Sequence, residues 1–129
     1  MTILQPPGWR RPNGYANGVA ATGTMVFVAG QVGWNARGEF ETDDLVAQVR
    51  QALANVTAVL AEAGARPEHI TRMTWYLIDK REFLARSQEI GAVFREAIGG
   101  YGAAMTAVEV RALIEDAAKV EIEVTAVIP

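Results

Sequence analysis

The longest periodic stretch of the chain runs from 43 to 63, where Leu45, Val46, Val49, Ala52, Leu53, Val56, Val59 and Leu60 recur every three or four residues. This spacing places one apolar stripe along an α-helix. Thr42 or Asp43 can cap its N-terminus, where Asp44 also suits the helix dipole, and Gly64 stops it with Pro67 shortly after. A second helix is predicted over 81–98, with Phe83, Leu84, Ile90, Phe94 and Ile98 on its inner face and Gly99-Gly100 as its end.

Strands are predicted on either side of these helices. The apolar runs 15–21 and 24–31, separated by Gly23, suit a hairpin. Val26, Phe27, Val28 and Ala29 are apolar in succession, which predicts a strand covered on both faces. The β-branched and aromatic stretch 71–78 is a third strand, placing one of Trp75 and Tyr76 against the helices and the other on the opposite face. Two more strands, 104–113 and 118–128, flank an acidic turn at Glu115-Asp116. In the last one, Val120, Ile122, Val124 and Ala126 share a face, while Lys119, Glu121, Glu123 and Thr125 share the other. The first thirteen residues, rich in Pro, Gly and Arg, read as an extended surface arm, and 33–38 as a turn or loop.

The predicted order is β-β-α-β-α-β-β, an α+β layout with two helices on one sheet face. The other face mixes large apolar and ionisable groups, and a second copy of the chain is the simplest thing to cover it. No repeat, linker or low-complexity segment divides the 129 residues, so a single domain, 1–129, is expected.

Composition narrows the chemistry. There is no cysteine, which excludes disulfides and thiolate chemistry, and a single histidine, His69, which excludes a multi-histidine metal site. The net charge is -3, with twelve scattered Lys and Arg, so no basic track for a nucleic-acid backbone is present. The N-terminal residues lack the apolar core of a signal peptide, and no apolar run reaches the roughly 18 residues of a membrane span. A cytoplasmic location, with no membrane or nucleic-acid partner, is the expectation.

Five segments carry a resemblance. They are Tyr15-Ala16-Asn17-Gly18-Val19, Val28-Ala29-Gly30-Gln31-Val32, the helical Ala47-Gln48-Val49-Arg50-Gln51-Ala52-Leu53-Ala54-Asn55-Val56, Val108-Glu109-Val110 and Val120-Glu121-Ile122-Glu123. Read together they span almost the whole chain and resemble the Rid family (YjgF-like, reactive intermediate deaminase or L-PSP proteins). The resemblance implies a chorismate-mutase-like α+β fold with a mixed sheet, assembled as a homotrimer with ligand clefts between subunits. It also implies hydrolysis of reactive enamines and imines to ammonia and a keto acid, with no cofactor and no metal.

The family's site pattern transfers unevenly. Tyr15 matches the cleft aromatic, Gly30 the glycine whose backbone approaches the ligand, with Gln31 beside it, and Glu121 the carboxylate that positions water. Trp34, just after these, is a further candidate for lining the cleft, as is Ala107. Where deaminating members carry an arginine, three residues before Val108, this chain has Met105. An arginine clamps a substrate carboxylate through two charge-assisted bonds, whereas methionine offers only apolar surface. Arg111, six residues along a strand from Met105, is roughly 20 Å away and cannot replace it by a simple shift.

Each assignment has a plainer alternative. Met105 equally suits interface packing, Glu121 a cross-strand ion pair with Arg111 or Lys119 of a neighbour, and Tyr15 a packed ring with a wet tip. Glu109 and Glu123 read as structural or solvated, and His69 as a loop residue. Trp9, Arg10 and Arg11 could fold over a cleft but read better as surface. The expected function is a small-metabolite-binding trimer related to imine deaminases yet poor at hydrolysing 2-imino acids. The alternative is a non-enzymatic binding or chaperone-like trimer.

Overall fold

The computed structural model describes residues 1–100 and 102–129. Strands β1 (Thr2–Leu4), β2 (Gly18–Ala20) and β3 (Thr24–Val32) come first, followed by helix α1 (Leu45–Glu62) and β4 (Ile70–Leu77). Helices α2 (Lys80–Ala85) and α3 (Ser87–Ala97) precede the last strands, β5 (Ala104–Glu109) and β6 (Val120–Ile128). Four strands form a mixed sheet in the order β3-β6-β4-β5, with β4 and β5 parallel and the other pairs antiparallel. The fold is therefore mixed α+β, as expected.

The alternation in β6 holds residue for residue. Val120, Ile122, Val124 and Ala126 are buried, together with Met73, Trp75 and Leu77 of β4, in a core closed by α1 and α3. From α1, Val49, Ala52, Leu53, Val56 and Leu60 enter this core, while Val59 stays exposed. The helix starts two residues later than predicted: Asp44 is its N-cap, its carboxylate accepting from the Ala47 N–H at 2.9 Å, and Thr42 in turn accepts from the Asp44 N–H. Gly64 follows the C-cap with φ +74, a conformation open to glycine at little cost.

Several expectations are corrected. The run after Tyr15 does not form a hairpin with β3; β2 pairs antiparallel with β1, and β3 pairs only with β6. The start of the supposed arm is thus a strand, and Gln5 ties the rest back by donating to the Trp9 and Arg10 carbonyls while accepting from Asn17. Nor is β3 covered on both faces: Val28 is buried but Phe27 is 71% exposed, because the helices cover one side of the sheet only. Strand β5 ends at Glu109 rather than 113, since β4 ends at Leu77, whose carbonyl takes a last bond from the Val110 N–H at 2.7 Å.

The predicted second helix is two helices. Asp79 caps α2, accepting from the Arg81 and Glu82 N–H groups, and the chain leaves helical geometry at Arg86 before α3 begins. The break turns Leu84 outward, 64% exposed, although Ile90 and Phe94 face inward as predicted. Arg86 makes use of its place at the joint. Its guanidinium donates to Asp44 at 2.6 Å and to both Glu89 oxygens at 3.0 and 2.9 Å, linking the start of α1 to the α2–α3 joint.

One polar side chain lies wholly inside. Gln48 of α1 has no exposed surface; its amide donates to the Thr42 and Ala117 carbonyls and its oxygen accepts from the Lys119 N–H at 2.8 Å. Three backbone groups of two loops are thereby satisfied at once. Two turns further on, Asn55 donates to the Val32 and Trp34 carbonyls and accepts from Gln51. Much of the helical segment that carries the family resemblance is therefore holding loops, not ligand.

Two predictions follow from these contacts. Replacing Gln48 by Leu leaves buried backbone groups unpaired and should cost about 3 kcal/mol, seen as a lower urea midpoint with an unchanged slope. The second concerns acid. Arg86 hydrogen bonds hold the Asp44 and Glu89 carboxyls below their ordinary range, helped at Asp44 by the Ala47 N–H. A folded-state value below the unfolded one gives stability that is fully present above about pH 4 and fades as pH falls through the folded values. Arg86→Gln should accordingly be modestly less stable than the parent at neutral pH, with the gap narrowing in acid, because these pairs are partly exposed. An equal gap at neutral and acid pH would contradict this role.

Candidate functional site

Six of the seven candidate residues fall into two groups. Met105 and Ala107 of β5 lie beside Met73 and Trp75 of β4 in the ladder and so share the helix-facing side of the sheet. Together with Tyr15 they line a cavity of about 530 Å³ between the sheet and helices α2 and α3. Its aromatic walls are Trp75, Phe83 and Phe94, with ring centroids 6.1 Å (Trp75–Phe83) and 6.2 Å (Trp75–Phe94) apart. Ser87 and Ile90 of α3 complete the inner wall. None of the described residues lining this cavity is charged.

Tyr15 is 40% exposed at this site, and the backbone next to it is anchored: Ala16 donates to the Ala103 carbonyl at 2.9 Å and bridges to Ala104. The chain thereby carries Tyr15 to the start of the strand that bears Met105. Trp75, predicted to point to one face or the other, is buried in the core and also faces the cavity. Its indole N–H is buried and finds no hydrogen-bond partner among the described residues. Such an orphaned donor costs about 1–3 kcal/mol.

Glu121 and Gly30 form the second group, on the opposite face. Glu121 lies across from Tyr76 in the β4–β6 ladder, out of phase with buried Ile122. The register of β3 on β6 shifts between Val28 and Gln31, a bulge that turns Gly30 toward Glu121. A Cβ at position 30 would fall 2.3 Å from Glu121 Oε2, so only glycine leaves the carboxylate where it stands. Gln31 spans the bulge by donating to the Ala29 carbonyl at 3.0 Å. Glu121 is half-buried and forms no ion pair with Arg111 or Lys119 of its own chain; the Lys119 ammonium lies 3.9 Å from Glu82 instead.

Within one chain, then, Met105 and Glu121 stand on opposite sides of the sheet. Trp34 belongs to neither group: its ring packs on Phe40 with centroids 5.8 Å apart, and its carbonyl accepts from Asn55. Glu109 has a structural task, accepting from the Lys80 N–H at the start of α2. His69 accepts from the Arg66 N–H through Nδ1. Glu123 accepts from the Tyr76 hydroxyl at 2.5 Å, and this bond to the neutral phenol, with the nearby carboxylates, raises the Tyr76 pKa. Among the described residues no group of acidic side chains and histidine could hold a metal ion, and no helix is long and apolar enough to cross a membrane.

Phe83, Ser87 and Ile90 were not singled out as site residues from sequence. Phe83 and Ile90 were legible only as part of an inner helix face, which is indistinguishable from ordinary core, and Ser87 carried no signal.

A mixed sheet with helices on one face and an aromatic-walled cavity at the parallel β4–β5 edge defines an α+β protein with a ligand-sized site. The family model described as Endoribonuclease L-PSP matches residues 10–128, and the chain belongs to this Rid/YjgF family. The 2-iminobutanoate/2-iminopropanoate deaminase of Salmonella typhimurium is 34% identical over 113 residues, covering 88% of this chain and 86% of the relative. A Rid-family protein from Yersinia pestis, YyfB, of unknown function, superposes with a TM-score of 0.78 at 32% identity, covering 98% of each chain. Escherichia coli TdcF, solved with bound serine, matches at 0.72 and 32% identity over 100% of both chains.

Replacing Glu123 by Gln should lower the ionisation midpoint of Tyr76 toward its ordinary value of 10.0, because the carboxylate that favours the neutral phenol is removed. The phenolate absorbance lost in Tyr76→Phe isolates this residue, and an unmoved midpoint would argue against the contact.

Proposed function

We propose that this chain forms a homotrimer whose inter-subunit clefts bind a small carbonyl-, imine- or carboxylate-bearing metabolite, and that it is a poor 2-imino acid deaminase. Assembly would bring a neighbour's Gly30 and Glu121 to the Met105 cavity, joining the two groups that one chain keeps apart. Exposed Phe27, Met25 and Val108 on the uncovered side of the sheet suit such burial. In hydrolysis Glu121 would orient water, while the Tyr15 phenol and the Gly30 backbone position the ligand; no metal or cofactor takes part.

The observation that carries the restriction is the uncharged lining beside Met105. A substrate carboxylate entering there meets no guanidinium and loses a charge-assisted bond, on the order of 1.5–3 kcal/mol. The endoribonuclease description belongs to the family model; a net charge of -3 gives this chain little attraction for a phosphate backbone. A second reading is a binding trimer without turnover, favoured by the absence of the clamp. On that reading Glu121→Ala leaves ligand affinity intact and there is no catalysis to lose.

The test is release of ammonia and keto acid from 2-aminoacrylate generated in place. The rate should fall at least tenfold below that of an arginine-bearing relative, and Met105→Arg should raise it. A parent rate equal to the relative's would sink the proposal.

A further inference from the structure

We infer that Gly91 sets the size of ligand the Met105 cavity admits, and that the space it leaves takes a bulky, uncharged apolar group. This rests on the reading of that cavity as the ligand site and deepens it by naming the substrate class and the residue that selects it. Gly91 is the only glycine inside a helix among the described residues, and it stands in the second turn of α3 rather than at an end. Glycine weakens a helix there, because its backbone has more freedom to lose on folding than that of any other residue. Nor does the backbone require it: Gly91 has ordinary helical geometry, without the positive φ that favours glycine elsewhere in this chain. What the missing side chain supplies is space.

That space belongs to the cavity. Ser87, Ile90, Gly91 and Phe94 follow one another at i, i+3, i+4 and i+7 of α3, a single helix face, and all four line the volume of about 530 Å³. A helical side chain leans toward the N-terminus of its helix, so one at position 91 would extend over Ser87, along the same wall. Glycine leaves the middle of that wall open, with Ile90 and Phe94 beside it and Trp75 and Phe83 lining the same volume. An apolar group placed there gains with the area it buries, whereas a charged one would be desolvated with no opposite charge among the described lining residues. A metabolite with a branched aliphatic or aryl substituent fills this recess. A three-carbon imine would leave it without contacts.

The experiment uses the whole protein with ¹³C-methyl-labelled methionine, titrated with 3-phenylpropanamide and, separately, with propanamide, two neutral amides that differ by a phenyl group. The Met105 methyl resonance, assigned by its absence in Met105→Leu, reports occupancy of the cavity. The phenyl compound should bind about tenfold or more tightly than propanamide. Gly91→Leu should weaken the phenyl compound by about tenfold and leave propanamide within about twofold. Gly91→Ala should unfold at a higher temperature than the parent, as helix propensity dictates where glycine borders open space. A Gly91→Leu protein that binds the phenyl compound as the parent does, or that loses both amides alike, overturns the inference. So does a Gly91→Ala protein that unfolds at a lower temperature, which would make this glycine a close-packing contact. If neither amide moves the Met105 methyl of the parent, the reading of the cavity as the ligand site falls and the inference with it. Rapid 2-aminoacrylate hydrolysis would instead overturn the functional proposal and leave the role of Gly91 standing.

Discussion

Strand β6 is hydrogen-bonded on both sides, to β3 and to β4, and the two-residue period of its side chains governs both faces of the sheet. Val120, Ile122, Val124 and Ala126 go under the helices, so Glu121 and Glu123 must emerge on the other side. A slip of one residue would bury two carboxylates and expose four apolar groups. The core, the position of Glu121 beside Gly30, and its separation from Met105 all descend from that register.

The helix layer is attached to this sheet by polar contacts of unequal kinds. Gln48 and Asn55 are buried or half-buried amides that close loops onto α1, where an unpaired backbone group would be costly. Arg86 acts at the surface and ties three segments together with charge, so its contribution depends on pH. Phe83 of α2 and Ile90 of α3, on either side of the break at Arg86, both line the cavity.

The Salmonella relative is named for deaminating imino acids. In this chain the cavity lined by Met105 is aromatic and sulfur-bearing, with Glu121 on the opposite face of the same sheet. Among the described residues, that lining holds no cation to pair with an anionic group.

The resemblance of several matched segments pointed to the family; the hydrophobic pattern alone determined the long helix, the alternation of β6 and the α+β class. Each of these depends on local spacing, which a linear chain displays in full. The pairing of β2 with β1, the exposure of Phe27 and the helix break at Arg86 depended on which distant strand or side chain was available, and no local period records that. The same holds for the site. Met105 and Glu121 were recognisable as residues, but their placement on opposite sheet faces follows from the β4–β5 and β4–β6 registers. The burial of the unpartnered Trp75 N–H is likewise a property of packing and not of the residue.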